Sequence, residues 1–197
     1  MRLIGDIHGA LGPYMEIASG CDFSVQVGDF GVGFGKDKPD LYQKWCDRVE
    51  EFHASGNHRF IRGNHDELAV CKNMKGWIPD GAYASGVMFI GGAQSTDIHL
   101  RKEGFDWWAD EELSFTEFSD LVDYYETVKP DVMITHDAPK RFLAGYTHHS
   151  LTRNALDMMF EIHKPSLWVF GHHHTPHSDT MDGCHFICLG INHYIDI

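Results

Sequence analysis

Short apolar runs that end where glycine or histidine begins recur along this chain. Leu3-Ile4, Val25-Gln26-Val27, Phe60-Ile61-Arg62, Val132-Met133-Ile134-Thr135 and Leu167-Trp168-Val169-Phe170 each have the length and residue types of a buried strand. Between them the spacing changes to that of helices. A helix is expected over 11–19, with Pro13 in its first turn, and another over 40–54, where Leu41, Trp45, Val49 and Phe52 recur every three or four residues before Gly56-Asn57. A third is expected over 67–74, leading directly from the Asn64-His65 loop. Ser114 and Glu117 have capping-box spacing ahead of Phe118, Leu121, Val122, Tyr125 and Val128, and Pro130 closes that helix. Over 150–163, Leu151, Ala155, Met158, Met159 and Ile162 fall on one face, which assigns both methionines to the core. Residues 82–92 read as a hairpin-like strand pair turning at Ser85-Gly86. Residues 184–189 read as the last strand, with Cys184, Phe186 and Cys188 to one side. Strands alternating with helices predict an α/β fold with its sheet edges gathered at one end. No repeat or linker divides it, so 1–197 is expected to form one domain.

The strand ends carry the chemistry. The loops that follow hold Gly5-Asp6-Ile7-His8-Gly9, Gly28-Asp29-Phe30-Gly31, Gly63-Asn64-His65-Asp66, His136 and Gly171-His172-His173-His174-Thr175-Pro176. Taken singly, Gly-Asp marks a turn and Asn64 a helix cap. Five strand ends delivering Asp, His and Asn together point to a metal site. Asp6, His8, Asp29, Asn64, His136, His172 and His174 are too many ligands for one tetrahedral ion, and Asp29 is able to bridge. Two ions about 3.5–4 Å apart would use the whole set, and such pairs clamp phosphate and activate water. Carboxylate, imidazole and amide oxygen suit manganese first, with iron, zinc or nickel also admitted, and the set lacks the thiolates of a structural zinc site.

Charge and cysteine usage narrow the partners. The formal net charge is −13, and two divalent ions would leave −13 + 4 = −9, which opposes binding to a nucleic-acid polymer. No apolar run reaches membrane-spanning length, and Arg2, Asp6 and His8 interrupt any signal-peptide core. Five scattered cysteines without CxxC spacing read as reduced thiols in a cytoplasmic protein. Of the 15 histidines, His53, His58, His99, His163 and His185 lie outside the strand-end loops and are expected to be solvated or hydrogen-bonded. The same holds for His148 and His149.

Taken in order, the five motifs resemble the calcineurin-like metallophosphoesterase superfamily in its small bacterial and phage-type members, over residues 5–176. The resemblance implies a four-layer α/β/β/α sandwich of two mixed sheets with a binuclear metal centre at the strand ends. It assigns Asp6, His8, Asp29 and His174 to the first metal, and Asn64, His136 and His172, with Asp29 bridging, to the second. His65 would stabilise the phosphoryl oxygens or protonate the leaving oxygen, with Asp66 orienting its ring. The implied reaction is attack of a metal-activated water on a small phosphomonoester or phosphodiester, a nucleotide among the candidates.

The departures refine this. Asp29 is followed by Phe30-Gly31-Val32-Gly33-Phe34, so the phosphate-gripping Arg of the superfamily's protein phosphatases is missing. By alternation His173 points away from the metals. The polar insert over 93–113 offers Arg101 as a bidentate phosphate grip and Trp107 or Trp108 for stacking on a base. The competing reading pairs Arg101 with Asp97 or Glu111 and packs the tryptophans into a gap. Two other functions are set against the small-substrate esterase: a nuclease, which needs a basic or aromatic groove, and a non-catalytic metal-binding platform, which would show eroded ligands.

Overall fold

The computed structural model describes residues 1–142 and 149–197. Among these residues, ten strands form two mixed sheets. The first contains β1 (Arg2–Ile4), β2 (Ser24–Gln26), β3 (His58–Phe60) and β10 (Tyr194–Asp196) in the order β10-β1-β2-β3. The second runs β4-β5-β6-β7-β9-β8, from β4 (Tyr83–Ala84), β5 (Val87–Ile90), β6 (Val132–Thr135) and β7 (Leu167–Phe170) to β9 (Cys184–Cys188) and β8 (His177–Met181). β1, β2 and β3 are parallel, as are β5, β6, β7 and β9. Parallel pairing brings the carboxyl ends of these strands to one edge of each sheet, which is where the motifs begin.

Alternation along the strands divides the core in three. Leu3 and Val25 face Phe89, Ile134 and Val169 in a cluster drawn from both sheets. Ile4 and Phe60 point the other way, to Leu11, Tyr14 and Ala18 of α1 (Leu11–Ser19) and Val49 of α2 (Pro39–Phe52). Met88, Ile90, Met133, Trp168, Phe170 and Phe186 pack against α4 (Phe115–Val128) and α5 (Leu151–Ile162). The clusters therefore run helices on sheet, sheet on sheet, and sheet on helices.

Most elements form where the pattern placed them, and the differences have local causes. The predicted helix over 67–74 keeps one regular turn, α3 (Leu68–Cys71). Helix α4 carries the complete capping box: Ser114 Oγ accepts from Glu117 N–H and the Glu117 carboxylate from Ser114 N–H. Ser85 (φ 50°) and Gly86 (φ 82°) both take left-handed backbone, the requirement of a tight two-residue hairpin turn. The expectation that 184–189 is the last strand is corrected. β10 follows it and pairs antiparallel with β1, held by Arg2 Nη2 to Asp196 Oδ2 at 2.9 Å. β8 is a further addition: its exposed sequence lacks apolar alternation, yet Asp182-Gly183 is a hairpin signal and joins it to β9.

The expected face of α5 is also corrected. Leu151, Met158 and Ile162 are exposed, while Thr152, Arg153, Ala155, Leu156, Met159 and Phe160 are buried. Arg153 explains the rotation: its Nε donates to the fully buried Asp137 carboxylate at 2.6 Å, so a charged residue faces inward.

Candidate metal centre

Two groups of side chains have ligand atoms within 4.8 Å of one another: Asp6, His8, Asp29 and His174, and Asp29, His136 and His172. Asp29 belongs to both. The groups come from both sheets, and the edges meet closely enough that a Cβ on Gly171 would lie 2.3 Å from Asp6 Oδ1; within the first sheet, one on Gly63 would lie 2.1 Å from Asp29 Oδ1. Only glycine permits that approach.

In the first group, His8 Nε2 and His174 Nε2 are 3.0 Å apart, so two imidazole nitrogens aim at one point. Asp6 Oδ2 lies 3.1 Å from His174 Nε2 without hydrogen-bond alignment. Its other oxygen accepts from His172 N–H at 3.1 Å. Burial pushes His8 down, against the pull of Asp29 and Asp6, whereas the adjacent Asp6 carboxylate raises His174. These two rings are the open side of the site, and Asp6 is fully buried.

The second group is deeper. His136 Nδ1–H donates to the Val27 carbonyl at 2.9 Å, which turns Nε2 toward Asn64 Oδ1 at 3.0 Å and Asp29 Oδ1 at 3.3 Å. Burial disfavours charge on His136, yet Asp29 outweighs it and lifts the ring to about 10. Burial would raise Asp29 too, but His136, His65 and His8 hold it well below the usual carboxylate range. His172 goes the other way: burial, opposed by Asp137, pushes it down to about 4. Its ring stands 5.1 Å from that of His136. The pocket between these groups calls for positive charge. Asp6 Oδ2 and Asp29 Oδ2 are buried and engaged in no hydrogen bond, and a divalent ion is the partner such oxygens fit.

His65 is 7% exposed, with its Nδ1 buried and in no hydrogen bond and its Nε2 3.5 Å from Arg101 Nη2. Asp66 does not orient that ring, which corrects the expected role. Its two oxygens accept from the backbone N–H groups of Phe30, Gly31, Val32 and Gly63 at 2.7–3.0 Å. The carboxylate thus ties the Asp29 loop to the Asn64 loop. Its pKa is raised, by burial first and then by Asp29.

Within the insert, Arg101 donates from Nε and Nη2 to Asp97 Oδ2 at 2.9 and 2.6 Å, so the expected bidentate grip on phosphate is taken by Asp97 rather than Glu111. Trp108 is buried and stacked on Phe34, leaving it no face for a base. Trp107 lines a cavity of about 630 Å³ with Lys72, Gln94 and Ile98. His173 Nε2 is 3.1 Å from Asp137 Oδ1, behind the ligand set. Asp137 and Arg153, neither flagged by the sequence pattern, buttress that loop. His149 is exposed, and His148 lies outside the described residues. The five cysteines are free thiols.

Residues 2–176 match the calcineurin-like phosphoesterase family. The chain belongs to that family. That is the family its five motifs resemble. No curated protein matches the sequence. Among solved structures, this phosphoesterase is similar to a candidate 5′-nucleotidase of Staphylococcus aureus crystallised with alpha-ketoglutarate (TM-score 0.56, 11% identity), covering 98% of this chain and 48% of that one. It therefore spans about half that protein's length. It is also similar to phosphopantetheinyl hydrolase of Mycobacterium tuberculosis (TM-score 0.52, 12% identity, 97% and 90% covered) and to GAP50, the anchor in the inner membrane complex of Plasmodium (TM-score 0.53, 13% identity, 96% and 71% covered). At these identities the likeness concerns the fold alone. Among the described residues, no helix is long and apolar enough to cross a membrane.

Proposed function

We propose that this phosphoesterase hydrolyses a small phosphomonoester or phosphodiester, a nucleotide among the candidates, at a paired-cation centre. Asp6, His8, Asp29 and His174 would hold one cation, and Asp29, Asn64, His136 and His172 the other. The observation that carries this reading is the pair of buried carboxylate oxygens, on Asp6 and Asp29, left without hydrogen bonds inside a ring of imidazoles. When bound, such ions polarise phosphoryl oxygens and lower the pKa of water. Manganese suits the donors first; iron, zinc and nickel also fit them.

The chain's own groups do the rest. Asp29 spans both halves of the site, so it fixes their separation. His65 stands at the rim beside the Arg101 guanidinium, placed to donate to a phosphoryl oxygen or to protonate the leaving one. Arg101, held by Asp97, contributes its charge at that rim rather than a two-pronged grip. Positioned charge of this kind is the main resource of phosphoryl transfer. A polynucleotide substrate is disfavoured by the −13 net charge.

The test is hydrolysis of p-nitrophenyl phosphate and its bis-ester with added Mn²⁺, followed by a screen of nucleotides, cyclic nucleotides and short oligonucleotides. Turnover of small esters that Asp29→Asn abolishes supports the reading. Turnover confined to oligonucleotides would replace it with the nuclease, and no metal-stimulated turnover of any ester with the non-catalytic platform.

A further inference from the structure

The insert over 93–113 folds back against Asn64, and Arg62 sets its path. This fully buried guanidinium donates from Nη1 to the carbonyls of Asp110 and Glu111, both at 2.9 Å, and from Nε to Asp80 Oδ2 at 2.9 Å. Arg62 stands two residues before Asn64, so the clamp fastens the end of the insert beside the ligand loop. From there the Glu111 side chain turns inward to Ser95. Oε1 accepts from Ser95 N–H at 2.9 Å, and Oε2 from the Ser95 hydroxyl at 2.5 Å. Ser95 Oγ in turn accepts from Asn64 Nδ2 at 3.0 Å. Glu111, Ser95 and Asn64 are 5%, 4% and 1% exposed, so water does not compete for these bonds.

The polarity of this chain matters because an amide has two unlike ends. Its oxygen binds a cation, and its NH₂ repels one. A hydroxyl carries a single proton. With that proton given to Glu111, Ser95 has only lone pairs to show Asn64, and the NH₂ end must face it. Asn64 Oδ1 is thereby turned toward His136 Nε2 and the pocket shared with Asp29 and His172. We propose that Glu111 and Ser95 are positioning residues that lock the Asn64 amide with its oxygen toward the deeper cation, and that holding this relay is a role of the insert. The inference rests on the paired-cation reading above.

Metal binding tests it directly. Mn²⁺ uptake by the metal-stripped full chain is measured by equilibrium dialysis, with Co²⁺ absorption as a report on coordination. The wild type is expected to take two equivalents. Glu111→Gln keeps the shape but offers Ser95 a donor, which turns the hydroxyl toward Asn64 and reverses the amide. It is expected to weaken one equivalent roughly 10–100-fold, alter that ion's Co²⁺ spectrum and leave the other equivalent unchanged. Ser95→Ala should act alike, and Ser95→Thr, which keeps a hydroxyl, should restore binding. Circular dichroism checks that each variant is folded, and should Glu111→Gln fail to fold, the Ser95 pair decides. Wild-type affinity for both equivalents in the folded variants, or equal weakening of both, overturns the relay. Fewer than two equivalents in the wild type overturns the paired-cation reading, and the relay with it.

Discussion

At the residue scale the site is held under backbone strain. His8, Asp29, His172 and His174 adopt left-handed conformations (φ 44°, 57°, 65° and 57°), which side chains with a Cβ disfavour by about 1–3 kcal/mol each. Four ligand residues in that region direct their side chains into a space that extended backbone would not reach. The surroundings enforce it: Asp66 gathers four backbone N–H groups across two ligand loops, and Ile7 and His8 both donate to the Asp29 carbonyl. The His65 backbone N–H donates to Asp29 Oδ1 at 2.9 Å, but its ring lies beside Arg101 and gives no hydrogen bond to any proposed ligand atom. His65→Gln is therefore expected to lower kcat about 10²–10⁴-fold while Mn²⁺ uptake stays at the wild-type level. Steady-state kinetics and metal analysis on one preparation check both halves.

At the scale of elements, neighbouring residues separate what the apolar pattern merges. Met158 and Met159 are adjacent in α5, and only Met159 is buried. Met159→Ala should cost about 2–5 kcal/mol, whereas Met158→Gln should fall within about 0.5 kcal/mol of the wild type, as read by urea unfolding. Periodicity could not reveal this, because it assumes that charge faces water, and Arg153 turns inward to Asp137. The Ser114–Glu117 box and the Ser85-Gly86 turn were legible, since each is a contact between residues close in sequence. His53 shows the opposite case, closing α2 while fully buried. Its Nδ1–H donates to the Lys75 carbonyl at 3.1 Å and its Nε2 pairs with Tyr14 OH at 2.8 Å, the phenol donating when the ring is neutral. Burial holds its pKa below the ordinary 6.5. Below that pH the unfolded chain gains a proton that the folded chain refuses, so this stability is present above about 6.5 and fades as pH falls toward the lowered value. The urea midpoint should drop between about pH 7.5 and 5.5, and His53→Gln should drop less over the same interval.

For the whole molecule, the two sheets are joined by an apolar cluster in the middle, and at one edge they meet around the buried, unpartnered oxygens of Asp6 and Asp29. Binding of a divalent ion to the folded state alone adds stability by mass action. Mn²⁺ is therefore expected to raise the unfolding temperature of metal-stripped protein in a concentration-dependent way, and Asp29→Asn to abolish most of the rise; a thermal-shift titration measures it. The ligand-bearing loops were legible because a strand that stops at glycine and releases Asp, His or Asn is a short-range signal. Sequence alone determined which residue types stand at the strand ends, in what order, and hence the family. Tertiary structure decided that Asp66 braces backbone instead of a ring, that Arg153 faces the core, and that Ser95 and Glu111 lie behind Asn64. The reason is physical: apart from Gly63 N–H to Asp66, those contacts join residues from 16 to 36 positions apart across packed surfaces, and no local spacing rule encodes which buried donor meets which acceptor.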